Sequence, residues 1–175
     1  MPPPSTPKDD STAARIARGL VAGVIAGAVA SFAMDRFQAA TAPLLPSDGG
    51  ESDPATEQAA DAVACRVAGH GIPDADKPLA GQAVHYAVGI ALGAAYGLAA
   101  EFRPAVTAGY GSAFGLGTAT LLDEVAVPAT GLGRAPWDAG VASNLYGYAS
   151  HLVFGGVSEL VRRHVAATLL PHRDG

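Results

Sequence analysis

The chain is poor in charge, in sulfur and in aromatic rings, and each scarcity excludes something. Only 15% of its 175 residues are charged and 6% are aromatic. Cys65 is the only cysteine, so neither an intrachain disulfide nor a thiolate metal cluster can form. No basic stripe with interleaved aromatics is present and the net charge is -5, which gives no reason to expect nucleic acid as a partner. No nucleophile elbow, phosphate loop, HExxH or paired-cysteine motif occurs, so the sequence predicts no enzyme and no metal site.

The missing charge is concentrated. Gly19 to Met34, Leu79 to Ala100, Pro104 to Leu122 and Ala139 to Ser158 contain no Asp, Glu, Lys or Arg. A hydrocarbon core of roughly 30 Å takes about 20 helical residues to cross. The last three stretches reach or approach that length, and the first does so if its helix continues through Asp35 and Arg36 to about Ala42. The expected fold is all-α: a polytopic membrane protein with a bundle of four transmembrane helices at about 19–42, 79–101, 104–125 and 139–161. The mean hydropathy of +0.24 is low for such a protein because the polar residues gather elsewhere. Residues 1–15 and 167–175 are expected as cytoplasmic tails, the first disordered, and 43–78 as an acidic external loop. Within that loop, Pro54 to Gly69 has a partly amphipathic period that suits one short helix.

With four spans both termini share a side. That side holds Lys8, Arg15, Arg18, Arg103, Arg162, Arg163 and Arg173, against Arg66, Lys77 and Arg134 opposite. Positive residues near span ends stay cytoplasmic, so both termini are predicted inside. Asp9, Asp10 and the leader prolines, with Pro43 after the candidate cleavage point, favour an uncleaved first span over a signal peptide.

Glycines recur every four residues: Gly19, Gly23 and Gly27; Gly89, Gly93 and Gly97; Gly111 and Gly115. Each would weaken a helix in water by about 1 kcal/mol. In lipid, small residues on one face let helices approach closely. With Gly147 and Gly155 they read as packing faces, within the chain or toward a homo-oligomer or another membrane protein. Trp137 suits the headgroup region, and Glu101, Glu159, Arg162 and Arg163 lie at inner span ends as interface residues.

Ionisable residues inside spans are functional hypotheses by default. His85 is about 9 Å into the second span from its outer end and His151 about 18 Å into the fourth. Asp35, Asp123 and Glu124 also fall in the outer half. On the fourth span Asn144, Gly147, His151, Gly155 and Ser158 share one sector, and on the second His85, Gly89, Leu92 and Tyr96 do. If these faces converge, His85, His151, Asp35, Asp123 and Glu124 form a site whose charge changes near neutral or mildly acidic pH. No cofactor is expected: axial haem ligation by the two histidines is disfavoured by a depth difference of roughly 9 Å.

The order of these motifs resembles the YagU-like family of small bacterial inner-membrane proteins. The likeness runs from Gly19-Leu-Val-Ala-Gly23 through His85, Gly-Ala-Ala-Tyr96 and Ala100-Glu101-Phe-Arg-Pro104. It continues with Pro128, Gly131-Leu132, Pro136-Trp137, His151-Leu-Val-Phe and Ser158-Glu159-Leu-Val-Arg162-Arg163. The resemblance implies an inner-membrane location, this topology and a link to acid tolerance, and it transfers no catalytic residues. Two functions follow as expectations. One is a proton- or cation-responsive His/carboxylate site, the other a non-catalytic packing subunit or scaffold of a membrane complex.

Overall fold

The computed structural model describes residues 11–44, 53–133, 135, 137–138 and 140–170. The expected tail up to residue 10, part of the acidic loop, Arg134, Pro136, Ala139 at the expected start of the fourth span and the last five residues lie outside them. Among the described residues the chain is helical and has no strand. Its elements are α1 (Thr12–Thr41), α2 (Ala55–Ala68), α3 (Lys77–Phe102), α4 (Ser112–Ala119), a π-helical stretch (Thr120–Ala126), one closing turn α5 (Val127–Ala129) and α6 (Val141–Thr168). Short 3-10 turns occupy Ala42–Leu44 and Pro104–Thr107.

Among the described residues, two helices are long and apolar enough to cross a membrane: Thr12–Leu44, counting its 3-10 end, and Lys77–Phe102. The 28 residues of α6 are long enough as well, but Asn144, Ser150, His151, Ser158 and Glu159 lower its hydropathy.

Two boundaries differ from expectation. α1 begins at Thr12, so residues 12–15 belong to it and not to the tail. Ser11 is the cause: its Oγ accepts the Ala14 amide at 3.2 Å and satisfies a first-turn donor. The third helix begins at Ser112 instead of Pro104. Tyr110 and its flanking Gly109 and Gly111 all have positive φ, which breaks the helix there and folds the chain into a turn.

α1 packs along both α3 and α6, α4 packs along α6, and α2 lies on α3. The α1–α3 contact is an antiparallel glycine ladder. A Cβ on Gly23 would fall 2.3 Å from the Gly93 carbonyl oxygen, one on Gly27 2.4 Å from that of Gly89, and one on Gly19 2.8 Å from that of Gly97. α4 and α6 repeat the device, with Gly111 against the Gly155 carbonyl and Gly115 against that of His151. Only glycine permits this backbone approach, and the gain is dispersion contact along both helices.

The faces of α1 are therefore reversed relative to a helix of a water-soluble protein. Ala22, Ala26, Ala30 and Ser31 are fully buried, while Leu20, Val21, Val24, Ile25, Val29 and Phe32 point outward. Larger apolar side chains close the middle, where Met34 and Phe154 meet Ala30, Leu92, Phe114 and Val157.

Candidate functional site

Each ladder leads directly to a histidine. One helical turn beyond the Gly27–Gly89 contact, His85 on α3 lies opposite Ser31 on α1, its Nε2 3.5 Å from the Ser31 carbonyl oxygen. The same nitrogen is 3.2 Å from Oδ1 of Asp35. Gln82, one turn before His85, donates through Nε2 to Oδ2 of Asp35 at 2.6 Å. Both carboxylate oxygens of Asp35 are thus engaged by α3.

The second pair is built alike. His151 on α6 packs against Gly115, and its Nδ1 lies 3.0 Å from the Gly147 carbonyl oxygen and 3.2 Å from Oδ2 of Asp123. Asp123 sits in the middle of the π-helical stretch, where the widened turn changes the direction of side chains, and such turns recur at functional sites. Gly147 makes room for it: a Cβ there would be 3.3 Å from the Asp123 carboxylate.

Both nitrogens in these contacts face only acceptors, so with the carboxylates ionised Nε2 of His85 and Nδ1 of His151 carry the hydrogen. The opposite nitrogens, Nδ1 of His85 and Nε2 of His151, have no hydrogen bond among the described residues.

A single cavity of about 520 Å³ is lined by both pairs. Asp35, Gln82 and His85 contribute from one side of the fold, Asp123 and His151 from the other. Pro54 to Glu57 at the start of α2 also line it, and the Glu57 side chain rests on Gly81. Four of the five sequence-predicted ionisable residues thus meet on one cavity. Glu124 does not: it is half-buried and is not part of the lining. Among the described residues no three His, Cys, Asp or Glu side chains come close enough together to hold a metal ion.

The opposite end of the helices is closed by ion pairs. Glu101 receives Arg18, and Arg15 donates to its carbonyl oxygen. Glu159, expected at the interface, is instead 1% exposed. It accepts from Tyr96 Oη at 2.8 Å and from Arg162 and Arg163. Rotation of α6 explains this, because Glu159 follows the inward-facing Ser158 and Gly155. Trp137, expected as an interfacial anchor, is 82% exposed.

Sequence reasoning missed Gln82, Ser31 and Glu57 as cavity residues. Two had a signal: Gln82 is one turn from His85, and Ser31 continues the Gly19, Gly23, Gly27 spacing. Glu57 had none, because nothing local ties the loop helix to the cavity.

No curated protein and no solved structure shows a significant match to the chain. A family model does match, over residues 58–160, more than half the length. That model, described as a protein of unknown function, covers α3, α4, the π-helical stretch, most of α6 and both histidines. The chain therefore belongs to the DUF1440 family.

Proposed function

We propose that this is an integral membrane protein of four spans whose cavity takes up protons at two His–Asp pairs and contributes to tolerance of acid. The observation that carries the proton reading is the convergence of His85–Asp35 and His151–Asp123 on one cavity. His151 is withdrawn from solvent and His85 and Asp35 largely so, while Asp123 stays 42% exposed; placing such groups there costs stability, so it calls for a use. The groups facing the pairs are Glu57 from α2, Tyr86 beside Asp35 from α3, Arg36 next to Asp35 on α1, and Glu124 next to Asp123 on the π-helical stretch.

The membrane reading rests on the reversed faces. Burying alanine and glycine while exposing leucine, isoleucine, valine and phenylalanine is costly in water and favourable in lipid. α4 with its π-helical extension and α6 complete the bundle, with Thr118, Asp123 and His151 turned toward the cavity and Glu159 toward the ion-pair end. The cavity then opens toward the outer face and Glu101 and Glu159 lie at the inner one, in the bacterial inner membrane with both termini cytoplasmic. The likeness to YagU-like proteins supports the link to acid.

The scaffold reading keeps less support. The repeated glycines of α1, α3, α4 and α6 are used against one another inside the chain, and only Gly117 and Gly156 leave open space on the helices.

The test is proton uptake and flux in liposomes carrying the purified protein as the medium is acidified from about pH 7 to about pH 4. A His85→Gln/His151→Gln variant of equal yield should lose the signal. Equal uptake by both proteins would sink the reading.

A further inference from the structure

The chain carries one sequence pattern twice. Gly27, Ser31 and Asp35 on α1 recur in spacing as Gly115, Ala119 and Asp123 on α4 and the π-helical stretch. Gly81, His85 and Gly89 on α3 recur as Gly147, His151 and Gly155 on α6. In both helix pairs the first helix supplies the aspartate and the second the histidine, and the two meet at 3.2 Å. The cavity is thus lined by two like halves, each presenting one carboxylate.

What surrounds the carboxylates defines a ligand. Glu57 adds a third acid at the α2 side, and no Lys or Arg occurs among the described residues that line the cavity. Met34, Leu92, Leu122 and Phe154 give it apolar wall. Ser31, also in the wall, is fully buried and its hydroxyl has no hydrogen-bond partner. The histidine and acid groups are too dispersed to chelate a metal ion. Two separated anionic anchors with an apolar lining match an organic cation with two charged ends.

We infer that the cavity binds an aliphatic diamine, one protonated nitrogen at Asp35 and the other at Asp123. This rests on the reading of the cavity as the proton-responsive site. There each histidine competes with the ligand: once protonated it neutralises its own aspartate from 3.2 Å, so acid displaces the diamine. The cavity of about 520 Å³ has room for a short aliphatic chain.

The test is calorimetric titration of the full-length protein in lipid nanodiscs near neutral pH, with 1,4-diaminobutane, butylamine and magnesium chloride as separate probes. The diamine should bind about tenfold or more tightly than butylamine, and Asp35→Asn and Asp123→Asn should each remove that advantage. Equal affinity for the two amines, displacement of the diamine by an equal concentration of magnesium, or unchanged binding by both variants would overturn the inference. A diamine length series on the unaltered protein needs no variant. Affinity should pass through a maximum at one length, and a flat series also overturns it. Proton uptake measured on the same sample separates the two ideas. Uptake without diamine binding overturns the ligand alone, and diamine binding without uptake overturns the proton reading alone.

Discussion

Tyr96 on α3 donates a 2.8 Å hydrogen bond to Glu159 on α6, joining two helices at the end opposite the cavity. The carboxylate also accepts Nε and Nη2 of Arg162, at 2.8 and 2.9 Å, and Nε of Arg163. Its ring partner is tied in as well, because Tyr96 stacks on Phe114 of α4 with centroids 4.2 Å apart. Three helices thus depend on one buried carboxylate.

Glu159→Gln should therefore be strongly destabilising. It leaves the Arg162 guanidinium, whose side chain is 12% exposed, without its charge partner. Breaking a buried pair from one side costs about 3 kcal/mol or more. Tyr96→Phe removes one hydrogen bond to a charged group and should cost about 1.5 kcal/mol. Denaturant unfolding in detergent measures both. A Glu159→Gln protein no less stable than Tyr96→Phe would show that the carboxylate is not the junction described.

The glycine ladder makes a contrast testable by two alanines. At Gly93 a Cβ would lie 2.4 Å from the Gly23 carbonyl oxygen and 2.5 Å from the Gly27 α-carbon, and backbone cannot give way as a side chain can. Gly93→Ala should lose about 1–3 kcal/mol by overpacking. Gly156 has nothing within 4 Å, so Gly156→Ala should be neutral or gain up to about 1 kcal/mol from helix propensity. Thermal unfolding of both variants decides it. Similar losses in both would remove the ladder as the basis of α1–α3 packing.

The sequence made the helices legible because uncharged runs of span length leave few alternatives to buried or lipid-facing helix. It made the glycine faces legible through their spacing, but not their partners: Gly23 could equally have met a second copy of the chain. The start of the third helix was illegible because Pro104 is compatible with a first helical turn, and only the positive φ of Gly109, Tyr110 and Gly111 breaks the helix there. Helix rotation was readable on α6, where small and hydrogen-bonding residues share a sector. The same sector argument stopped one residue short of Glu159, whose charge placed it at the interface when its neighbours faced inward. The doubled Gly, Asp, His pattern lies in plain view in the sequence, yet it becomes meaningful only when both halves are seen on one cavity.

Outside the spans, the strap before α3 should respond to strong acid. Lys77 pairs with Asp74 at 2.8 Å and with Asp53 at 3.1 Å. The hydrogen bond from Lys77, and then its charge, hold the Asp74 carboxyl below its usual value of 3.8. A carboxyl lowered on folding stabilises the folded form above its ordinary pKa, and that contribution fades as pH falls through the lowered value. The Asp74–Lys77 pair should therefore persist at pH 4 and weaken only below 3.8, as followed by the Lys77 ammonium resonance. In Lys77→Met the Asp74 titration should return toward 3.8. An Asp74 midpoint that is the same in both proteins would refute the pairing.

Cys65 offers a direct reading of topology without any substitution. It is the only cysteine, it is exposed, and it lies on α2, the helix that borders the cavity. In the proposed topology this helix lies outside, because Arg15, Arg18, Arg103, Arg162 and Arg163 all gather at the opposite end. A membrane-impermeant maleimide added to intact cells, with the outer membrane opened where there is one, should label Cys65, and permeabilising the inner membrane should add little. The thiol lies 3.9 Å from the Asp61 carboxylate, a negative neighbour that slows its reaction, so labelling is compared with a denatured sample and not judged by rate alone. Labelling that appears only after the inner membrane is opened would invert the protein. The cavity and its two His–Asp pairs would then face the cytoplasm, and an acid signal would have to come from within the cell.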